Sequence, residues 1–287
     1  MHYLHMRFPD GKPKAVTFSF DDGVKQDIRF SQTLNKYGIK CTFNINSGLF
    51  GAPNRLTKEE IKEHILDKGH EVAIHGEHHK ANGLVSPIEG IKDVLNCRVA
   101  LEEMFDTFIR GMAYPDSGIN RFQNGTDYQT VKNYLTDLGV LYARTLGGDN
   151  NGFTIPTDWH AWMPNAHWLH DVCDPYIDEF LAVDFEKLRF GSQKWPRLLY
   201  IWGHSYECDG NDGNNWNVLE EMCKKLACKE DIWYATNIEV CEYVKAFNSL
   251  VFDANGTKVY NPTLKTVWFF HEDKDYKIES GETIRFV

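Results

Sequence analysis

Two adjacent carboxylates follow the first clearly apolar segment of the sequence. Residues 15–20 read Ala-Val-Thr-Phe-Ser-Phe, which predicts a buried strand, and Asp21, Asp22 and Gly23 come directly after them. Two ionised carboxylates at the end of a buried strand are costly unless a cation or a basic side chain lies beside them. An Asp-Asp-Gly sequence also forms ordinary turns with solvated carboxylates, so a metal site needs a second observation.

A cluster of histidines supplies that second observation. Another short apolar strand runs into His75, and His78 and His79 follow it. His75 and His79 are four residues apart, a spacing that places both imidazoles on one face of a helical turn. With Asp21 or Asp22 they form an Asp-His-His set that can bind one divalent ion. His78 remains an alternative ligand, although the four-residue spacing favours His79.

A third candidate is His204, which follows the apolar run 197–203. A lone histidine at the end of a strand is more often structural, but this one lies opposite the metal cluster in the predicted order of strands. Glu207 could bind a substrate hydroxyl or His204, or it could remain a solvated loop carboxylate. Tryptophans and histidines crowd residues 157–168, where exposed rings would suit the apolar faces of sugars and buried rings would form a local core.

Alternating strands and helices must position these side chains. Apolar spacing, capping patterns and glycine stops predict helices at about 24–37, 57–67, 87–108, 125–138, 215–228 and 238–247. Strands are predicted at about 15–20, 41–46, 71–75, 111–114, 140–144, 197–204 and 232–235. Between 147 and 196 the pattern is irregular. The alternation predicts an α/β fold with a parallel sheet or barrel, whose functional loops follow the carboxyl ends of the strands.

The sequence changes character after residue 247. Short alternating apolar runs and an Asn-Gly turn at 255–256 predict a β-rich C-terminal extension. We expect a barrel at 1–247 and an extension at 248–287 that packs on it, because about 40 residues bury too little apolar surface to fold alone. A small carbohydrate-binding module is the alternative.

The composition fits one large globular domain or a domain with a small appendage. The chain has 287 residues, of which 42% are hydrophobic and 25% charged, and its formal net charge is −10. Nothing in this acidic chain supplies a basic face, which argues against nucleic acid as a partner. No apolar run is long enough for a signal peptide or a membrane span. We therefore expect a cytoplasmic protein without a membrane partner, unless a leader has been removed.

Several motifs resemble those of the polysaccharide deacetylases of the NodB-homology type, also called carbohydrate esterase family 4. Phe-Ser-Phe-Asp-Asp-Gly at 18–23 and His-x-x-x-His at 75–79 resemble the first two motifs of that family. Weaker likenesses are Gly69 to Val72, Ala113-Tyr114-Pro115 with Gly118, Asp158 to Trp162, and Leu199 to His204. The likeness runs in order from about residue 14 to 247. It implies a distorted (β/α)7 barrel of NodB type.

The resemblance also implies a mechanism. Asp22, His75 and His79 would bind one divalent ion, in the first place Zn²⁺, with Co²⁺, Ni²⁺ or Fe²⁺ as alternatives. The ion would lower the pKa of a bound water and polarise the acyl carbonyl. Asp21 would take a proton from that water, and His204 would protonate the leaving amine or alcohol.

The remaining site residues are also carried over from the resemblance. Asp158 would orient His204, Trp162 would line the acetyl pocket, and the Tyr114 amide would bind the oxyanion. The candidate substrate contacts are Tyr114, Trp162, His167, Trp202 and Glu207.

Three departures from the family pattern affect these expectations. Gly76 stands where the family usually has Ser or Thr, and Lys80 where Pro is common. The family's third motif carries an arginine that orients the base, but no arginine aligns near Ala113, and Arg110 lies three residues early. Arg144, at the end of the next predicted strand, could serve instead.

The sequence therefore predicts a metal-dependent carbohydrate deacetylase, with an N-acetyl sugar as the favoured substrate and an O-acetyl ester next. Two alternatives stay open. The first is a hydrolase of a non-sugar C–N bond on the same scaffold, with or without a metal. The second is a sugar-binding protein whose active site has decayed. The oligomeric state is open as well.

Overall fold

The computed structural model describes residues 3–146, 152–210 and 215–286. Within these ranges the α-helices are α1 (Gln26–Lys36), α2 (Lys58–His64), α3 (Pro87–Phe105), α4 (Tyr128–Asp137), α5 (Cys173–Ala182), α6 (Asn215–Leu226) and α7 (Asn237–Asn248). The first nine strands are β1 (Leu4–Arg7), β2 (Lys14–Asp21), β3 (Thr42–Ile45), β4 (Glu71–Ile74), β5 (Gly111–Ala113), β6 (Tyr142–Arg144), β7 (Ala166–His167), β8 (Arg197–His204) and β9 (Ile232–Tyr234). The C-terminal strands are β10 (Val251–Phe252), β11 (Lys258–Tyr260), β12 (Val267–His271), β13 (Lys274–Ile278) and β14 (Thr283–Arg285).

The largest sheet is parallel, with strand order β6-β5-β4-β3-β2-β8-β7. Strand β2 lies near its centre, and all eight of its residues are buried. It pairs with β8 along its whole length, from Lys14 opposite Arg197 to Asp21 opposite His204. On its other edge, the first half pairs with β9 and the second half with β3. This strand is therefore hydrogen-bonded on both sides and holds the sheet together.

The segment from Trp162 to Trp168 connects the two edges of this sheet. At its start, Trp162 exchanges backbone hydrogen bonds with the residues at the end of β6. At its end, the Asn165 and Trp168 amides donate to carbonyls of β8. The sheet consequently curls into a closed shape with helices outside it, and the predicted distorted (β/α)7 barrel is confirmed.

The two faces of β2 contact different surroundings. Val16, Phe18 and Phe20 are buried in the main apolar core between the sheet and the helices. The alternating residues Thr17 and Ser19 face the other way and form side-chain hydrogen bonds inside the barrel, to Asn237 and Asn44 respectively. This period of two places Asp21 on the inner face, at the carboxyl end of the strand.

Glu71 lies buried inside the barrel, against the start of α7. Its carboxylate accepts hydrogen bonds from the Thr42 hydroxyl at 2.7 Å, the Ile238 amide at 2.9 Å and the Tyr142 hydroxyl at 2.8 Å. Burial raises its pKa to about 7, although these hydrogen bonds partly oppose that shift. The N-terminus of α7 thus closes the barrel floor beneath the strand that leads to His75.

The C-terminal residues form two small antiparallel sheets, β1-β12-β13 and β10-β11-β14. The predicted β-rich extension is therefore confirmed. Its first sheet includes the N-terminal strand β1, which no pattern in the sequence predicts. The hydroxyl of Tyr243 on α7 donates to the Arg7 carbonyl at 2.6 Å and accepts from the Trp268 amide at 2.9 Å. The boundary between units 1–247 and 248–287 stays a prediction.

Several predicted elements end at different residues for identifiable reasons. Helix α3 stops at Phe105 because Asp106 adopts a left-handed conformation with φ of 50°. Helix α4 begins only at Tyr128, since the Asp127 side chain caps it by accepting from the Thr130 amide. Helix α5 lies in the segment that has an irregular pattern, of which residues 147–151 lie outside the described ranges. No described helix is both long and apolar enough to cross a bilayer.

We expect Tyr243→Phe to destabilise the protein by about 1–3 kcal/mol, because it leaves the buried Trp268 amide without this acceptor. Tyr260→Phe is the matched control, since Tyr260 lies on the exposed surface of the extension. Urea unfolding of both variants measures the difference. Equal stabilities of the two variants would show that the hydrogen bonds of the Tyr243 hydroxyl contribute nothing. A second unfolding transition seen only in Tyr243→Phe would indicate that the extension separates from the barrel.

Candidate active site

The carboxyl ends of four barrel strands bring most of the candidate residues together. Asp21 ends β2, His75 follows β4, Arg144 ends β6 and His204 ends β8. Asp21 lies in the middle, with its Oδ2 atom 3.8 Å from His75 Nε2 and 3.9 Å from His204 Nε2. Because all strands of the sheet are parallel, these side chains converge at one end of the barrel.

Asp22, His75 and His79 form a set that fits a divalent metal ion. One donor atom from each lies within 4.8 Å of the others. Asp22 Oδ1 is 4.0 Å from His75 Nε2 and 3.7 Å from His79 Nε2. A tetrahedral zinc with bonds of about 2.1 Å holds its ligands about 3.4 Å apart, so a slight inward movement completes the set. The ring of His75 also hydrogen-bonds through Nδ1 to the Ala113 carbonyl at 2.9 Å, which leaves Nε2 available.

The neighbouring groups do not join this set. Asp21 is occupied by hydrogen bonds to other side chains. The His78 side chain is 55% exposed, and its Nε2 lies 3.7 Å from Glu77. Among the described residues, the structure thus brings His79 rather than His78 to Asp22.

Asp93 on α3 holds the loop that carries these histidines. Its Oδ1 accepts from the His78 amide at 2.8 Å, and its carbonyl accepts from the Glu77 amide at 3.0 Å. Gly76 has φ of 74°, and a Cβ added there would lie 2.2 Å from Asp93 Oδ2. The carboxylate of Asp93 therefore occupies the space that a side chain at position 76 would need. This contact explains why the loop carries glycine where the family usually has Ser or Thr.

Asp21 is a buried carboxylate with strong partners. Its Oδ1 accepts from Asn44 Nδ2 at 2.8 Å, and its Oδ2 forms an ion pair with the guanidinium of Arg144. Burial would raise the pKa of Asp21, but the charges of Arg144, His75 and His204 and the hydrogen bond from Asn44 outweigh it and lower the pKa. Asp21 thus stays ionised, as a proton acceptor must.

Arg144 occupies the place proposed for the missing motif arginine. It is fully buried beside Asp21, and its guanidinium also lies 4.5 Å from the centre of the Trp202 ring. Arg110, the other candidate from the sequence, forms an ion pair with Glu242 on α7 instead. The structure therefore brings Arg144, not Arg110, to the predicted base.

His204 lies on the side of Asp21 away from the histidine pair. Its Nδ1 is 3.4 Å from Glu207 Oε1. Burial alone would lower the pKa of His204, but the hydrogen bond to Glu207 and the negative charges of Asp21, Glu207 and Asp22 raise it above its usual value. The imidazolium form, which can donate a proton, is favoured.

The structure places Asp158 with partners other than His204. Its carboxylate accepts from the Tyr128 hydroxyl at 2.6 Å, the Lys132 ammonium at 2.7 Å and the His160 amide at 3.0 Å. All three donors lie on α4 or in its own turn. Asp158 is therefore bound on the outside of the site and does not contact His204.

Trp162 and Tyr114 also have partners within the protein. Trp162 is 1% exposed and packs against Tyr142 and Tyr200 inside the barrel, so a substrate cannot reach it. The Tyr114 amide donates to the Arg144 carbonyl at 3.0 Å within the sheet, and it is not free to bind an oxyanion. The Tyr114 hydroxyl donates to the His160 carbonyl at 2.8 Å.

An open cavity of about 620 Å³ lies beside His204. Its walls include Asn120, Met163, His167, His170, Trp202 and Glu207. Three of the predicted substrate contacts, His167, Trp202 and Glu207, therefore line one space. Two larger cavities are lined by none of the ionisable site residues. One of about 730 Å³ lies between α5 and α6, and one of about 810 Å³ lies near the start of β2. The smaller cavity is the one of these three that shares residues with the candidate site, namely His167, Trp202 and Glu207.

Sequence reasoning missed two residues beside the site. The Tyr206 ring lies 5.0 Å from the ring of His204 and is 42% exposed. Its position two residues after His204 could have suggested it. Arg55 donates a hydrogen bond to the Asp22 carbonyl, and its Nη1 lies 3.6 Å from Asp22 Oδ1. Arg55 reaches the site through a loop, and nothing in the local sequence indicates this contact.

A comparison with protein families gives a match over part of the chain. Residues 9–136 match the sequence model of the family described as polysaccharide deacetylase. The match confirms the resemblance that the motifs predict. It includes the carboxylate pair and the histidine cluster, whereas His204 lies beyond it. A search of curated proteins finds no match.

A search of solved structures finds similar proteins of low sequence identity. A Mycobacterium smegmatis protein described as a candidate polysaccharide deacetylase is 18% identical, with a TM-score of 0.56, over 86% of this chain and 96% of that one. A Streptococcus pyogenes deacetylase in complex with acetate is 22% identical, with a TM-score of 0.41, over 46% of this chain and 55% of that one. A family 4 acetyl xylan esterase from Clostridium thermocellum in complex with a cobalt ion is 17% identical, with a TM-score of 0.45, over 79% of this chain and 89% of that one. The first of these similarities supports the fold.

We expect Gly76→Ala to weaken zinc binding about 10- to 100-fold, since the new Cβ displaces Asp93 and with it the loop that holds His79. Gly125→Ala is the control, because Gly125 has a similar φ of 76° but nothing within 4 Å of an added Cβ. Both variants should lose stability because of the positive φ, and Gly76→Ala should lose more because its Cβ also collides with Asp93. Calorimetric zinc titration measures the affinity, and equal affinities in the two variants would refute the role of Asp93.

Proposed function

We propose that this chain removes acetyl groups from a carbohydrate with the help of a bound divalent metal ion. The family match over residues 9–136 supports a polysaccharide deacetylase-like hydrolase. The observation that carries this proposal is the placement of Asp21 between the Asp22-His75-His79 set and His204. One ionised carboxylate thus lies within 4 Å of both a candidate metal ligand and a candidate acid.

Asp22, His75 and His79 would hold the ion. Two imidazoles and a carboxylate suit Zn²⁺, with Co²⁺, Ni²⁺ or Fe²⁺ as alternatives, and such an ion supplies a Lewis acid and an activated water when bound. The Arg55 guanidinium contacts Asp22 twice, at the backbone carbonyl and at the carboxylate of Asp22, and so orients this carboxylate. This arrangement supports an oriented ligand in an otherwise flexible turn.

Asp21 would act as the general base. Arg144 and Asn44 keep it ionised and fix both of its oxygens, so it can receive a proton without rotating. His204 would act as the general acid and transfer the proton on Nε2 to the leaving group. The two groups lie 3.9 Å apart, measured from Asp21 Oδ2 to His204 Nε2, so both can reach the same reacting group.

The protonated form of His204 favours an N-acetyl substrate over an O-acetyl ester. An amine must be protonated before it can leave, whereas an alcohol leaves more readily. The raised pKa of His204 keeps a proton available for that step. The cavity beside it offers Trp202, whose ring suits the apolar face of a sugar, and polar side chains that can bind hydroxyl groups.

We expect wild-type protein to bind about one zinc ion and Asp22→Ala to bind little, with acetate release lost in parallel. Elemental analysis and acetate release from N-acetylated glucosamine oligomers and O-acetylated xylan oligomers are the measurements. His78→Gln should bind zinc like the wild type, and zinc loss in that variant would reverse the assignment of His79. Acetate release by fully chelated protein would overturn the metal-dependent reaction.

A second variant tests the acid. His204→Gln should retain zinc but lose about 10²- to 10⁴-fold in turnover of the N-acetylated substrate, with a smaller loss on the ester. Unchanged turnover of both substrates would remove His204 from the mechanism.

A further inference from the structure

The carboxylate of Glu207 is held from several directions at once. Its Oε2 accepts from the His204 backbone amide at 3.0 Å and from the indole Nε1 of Trp168 at 2.7 Å. Its Oε1 lies 3.4 Å from His204 Nδ1 and 3.1 Å from His167 Nε2. Two N–H donors thus fix one oxygen, and the other oxygen is directed at two imidazoles.

The donor from His167 has a fixed direction. The Leu169 amide donates to His167 Nδ1 at 3.3 Å, so this nitrogen is the acceptor of the ring. The proton of the neutral imidazole is then on Nε2 and points at Glu207. His167 therefore acts as a hydrogen-bond donor that stabilises the ionised form of Glu207.

Gly203 makes the contact between Trp168 and Glu207 possible. A Cβ added at Gly203 would lie 2.1 Å from Trp168 Cδ1, 2.7 Å from its Nε1 and 3.2 Å from Glu207 Oε2. The backbone of Gly203 is in a regular strand, so the requirement is for space and not for an unusual conformation. The indole, which is 2% exposed, fills that space.

We infer that Glu207 is the positioning residue for His204, in place of Asp158, and that Trp168 fixes Glu207 by packing over Gly203. The inference deepens the proposed function and rests on it, because the acid role of His204 is proposed there. Glu207 binds Nδ1 of His204 and so directs Nε2 toward Asp21 and the substrate cavity. A spacing of 3.4 Å is long for a hydrogen bond, and such contacts often shorten when substrate binds.

This assignment differs from the substrate contact that the sequence suggests for Glu207. A carboxylate that already has donors from His204, Trp168 and His167 has little remaining capacity for a sugar hydroxyl. The other titratable groups around His204 are Asp21 and Asp22 from β2 and its loop, His167 from β7 and Tyr206 from its own loop. His204 Nδ1 lies 3.4 Å from Glu207 Oε1, and the Glu207 backbone forms a capping box with the His204 side chain.

The test compares Glu207→Gln and Trp168→Phe with Asp209→Asn. Asp209 is a suitable control because it lies two residues further on and accepts an indole N–H from Trp216 at 2.9 Å, away from His204. We expect Glu207→Gln to lower kcat about 10- to 100-fold and to move the basic limb of the kcat/KM profile to lower pH. Trp168→Phe should lower kcat and move the basic limb in the same direction, but by smaller amounts. Asp209→Asn should match the wild type. A raised KM with an unchanged pH profile would overturn the inference and make Glu207 a substrate contact.

A readout without turnover separates this inference from the proposed function. NMR titration of the His204 ring should show a lower midpoint in Glu207→Gln than in the wild type or Asp209→Asn. An unchanged midpoint would overturn the inference even if the enzyme is active. Absence of acetate release by the wild type would instead overturn the proposed function. Thermal unfolding confirms that each variant is folded. Gly203→Ala should resemble Trp168→Phe in the pH profile of turnover and in the NMR titration of His204. A wild-type profile for that variant would remove Trp168 from the arrangement.

Discussion

The rest of the site depends on the buried ion pair between Asp21 and Arg144. The two residues end strands β2 and β6, which are separated by three strands in the sheet, so they meet only because the sheet curls. Both are almost completely buried, and either one alone would be an uncompensated charge in the protein interior. The pair therefore connects closure of the barrel to ionisation of the proposed base.

Local patterns in the sequence predict most of the barrel. Period-two apolar runs, capping residues and glycine stops identify strands and helices to within a few residues, because these signals act within one element. The missed elements lack such signals. Strand β1 has four residues, and its partner β12 lies some 260 residues away in the chain. Helix α5 buries Cys173, Ile177 and Phe180 at helical spacing, but this short signal lies within a segment whose pattern is otherwise irregular.

The candidate site was predictable where a motif lies at the end of one strand. Asp22, His75, His79 and His204 meet this condition, and the structure brings them together. The failures involve contacts between distant segments. The residues around Asp158 resemble the family's fourth motif, but its carboxylate accepts hydrogen bonds from Tyr128 and Lys132 on α4. The Tyr114 amide is used within the sheet, and Asp93 and Arg55 reach the metal loops from elements whose own sequence carries no sign of that role.

The division of one edge of β2 between two neighbours has a consequence for biosynthesis. The first half of this strand is flanked by β8 and β9, which are encoded more than 170 residues after it. A nascent chain that has already produced both metal motifs still lacks these neighbours. One edge of the strand bearing the carboxylate pair is then open along its whole length, and the other edge along its first half. The site can therefore form only near the end of barrel synthesis. Until then, the apolar face of this strand depends on the ribosome or on chaperones for protection.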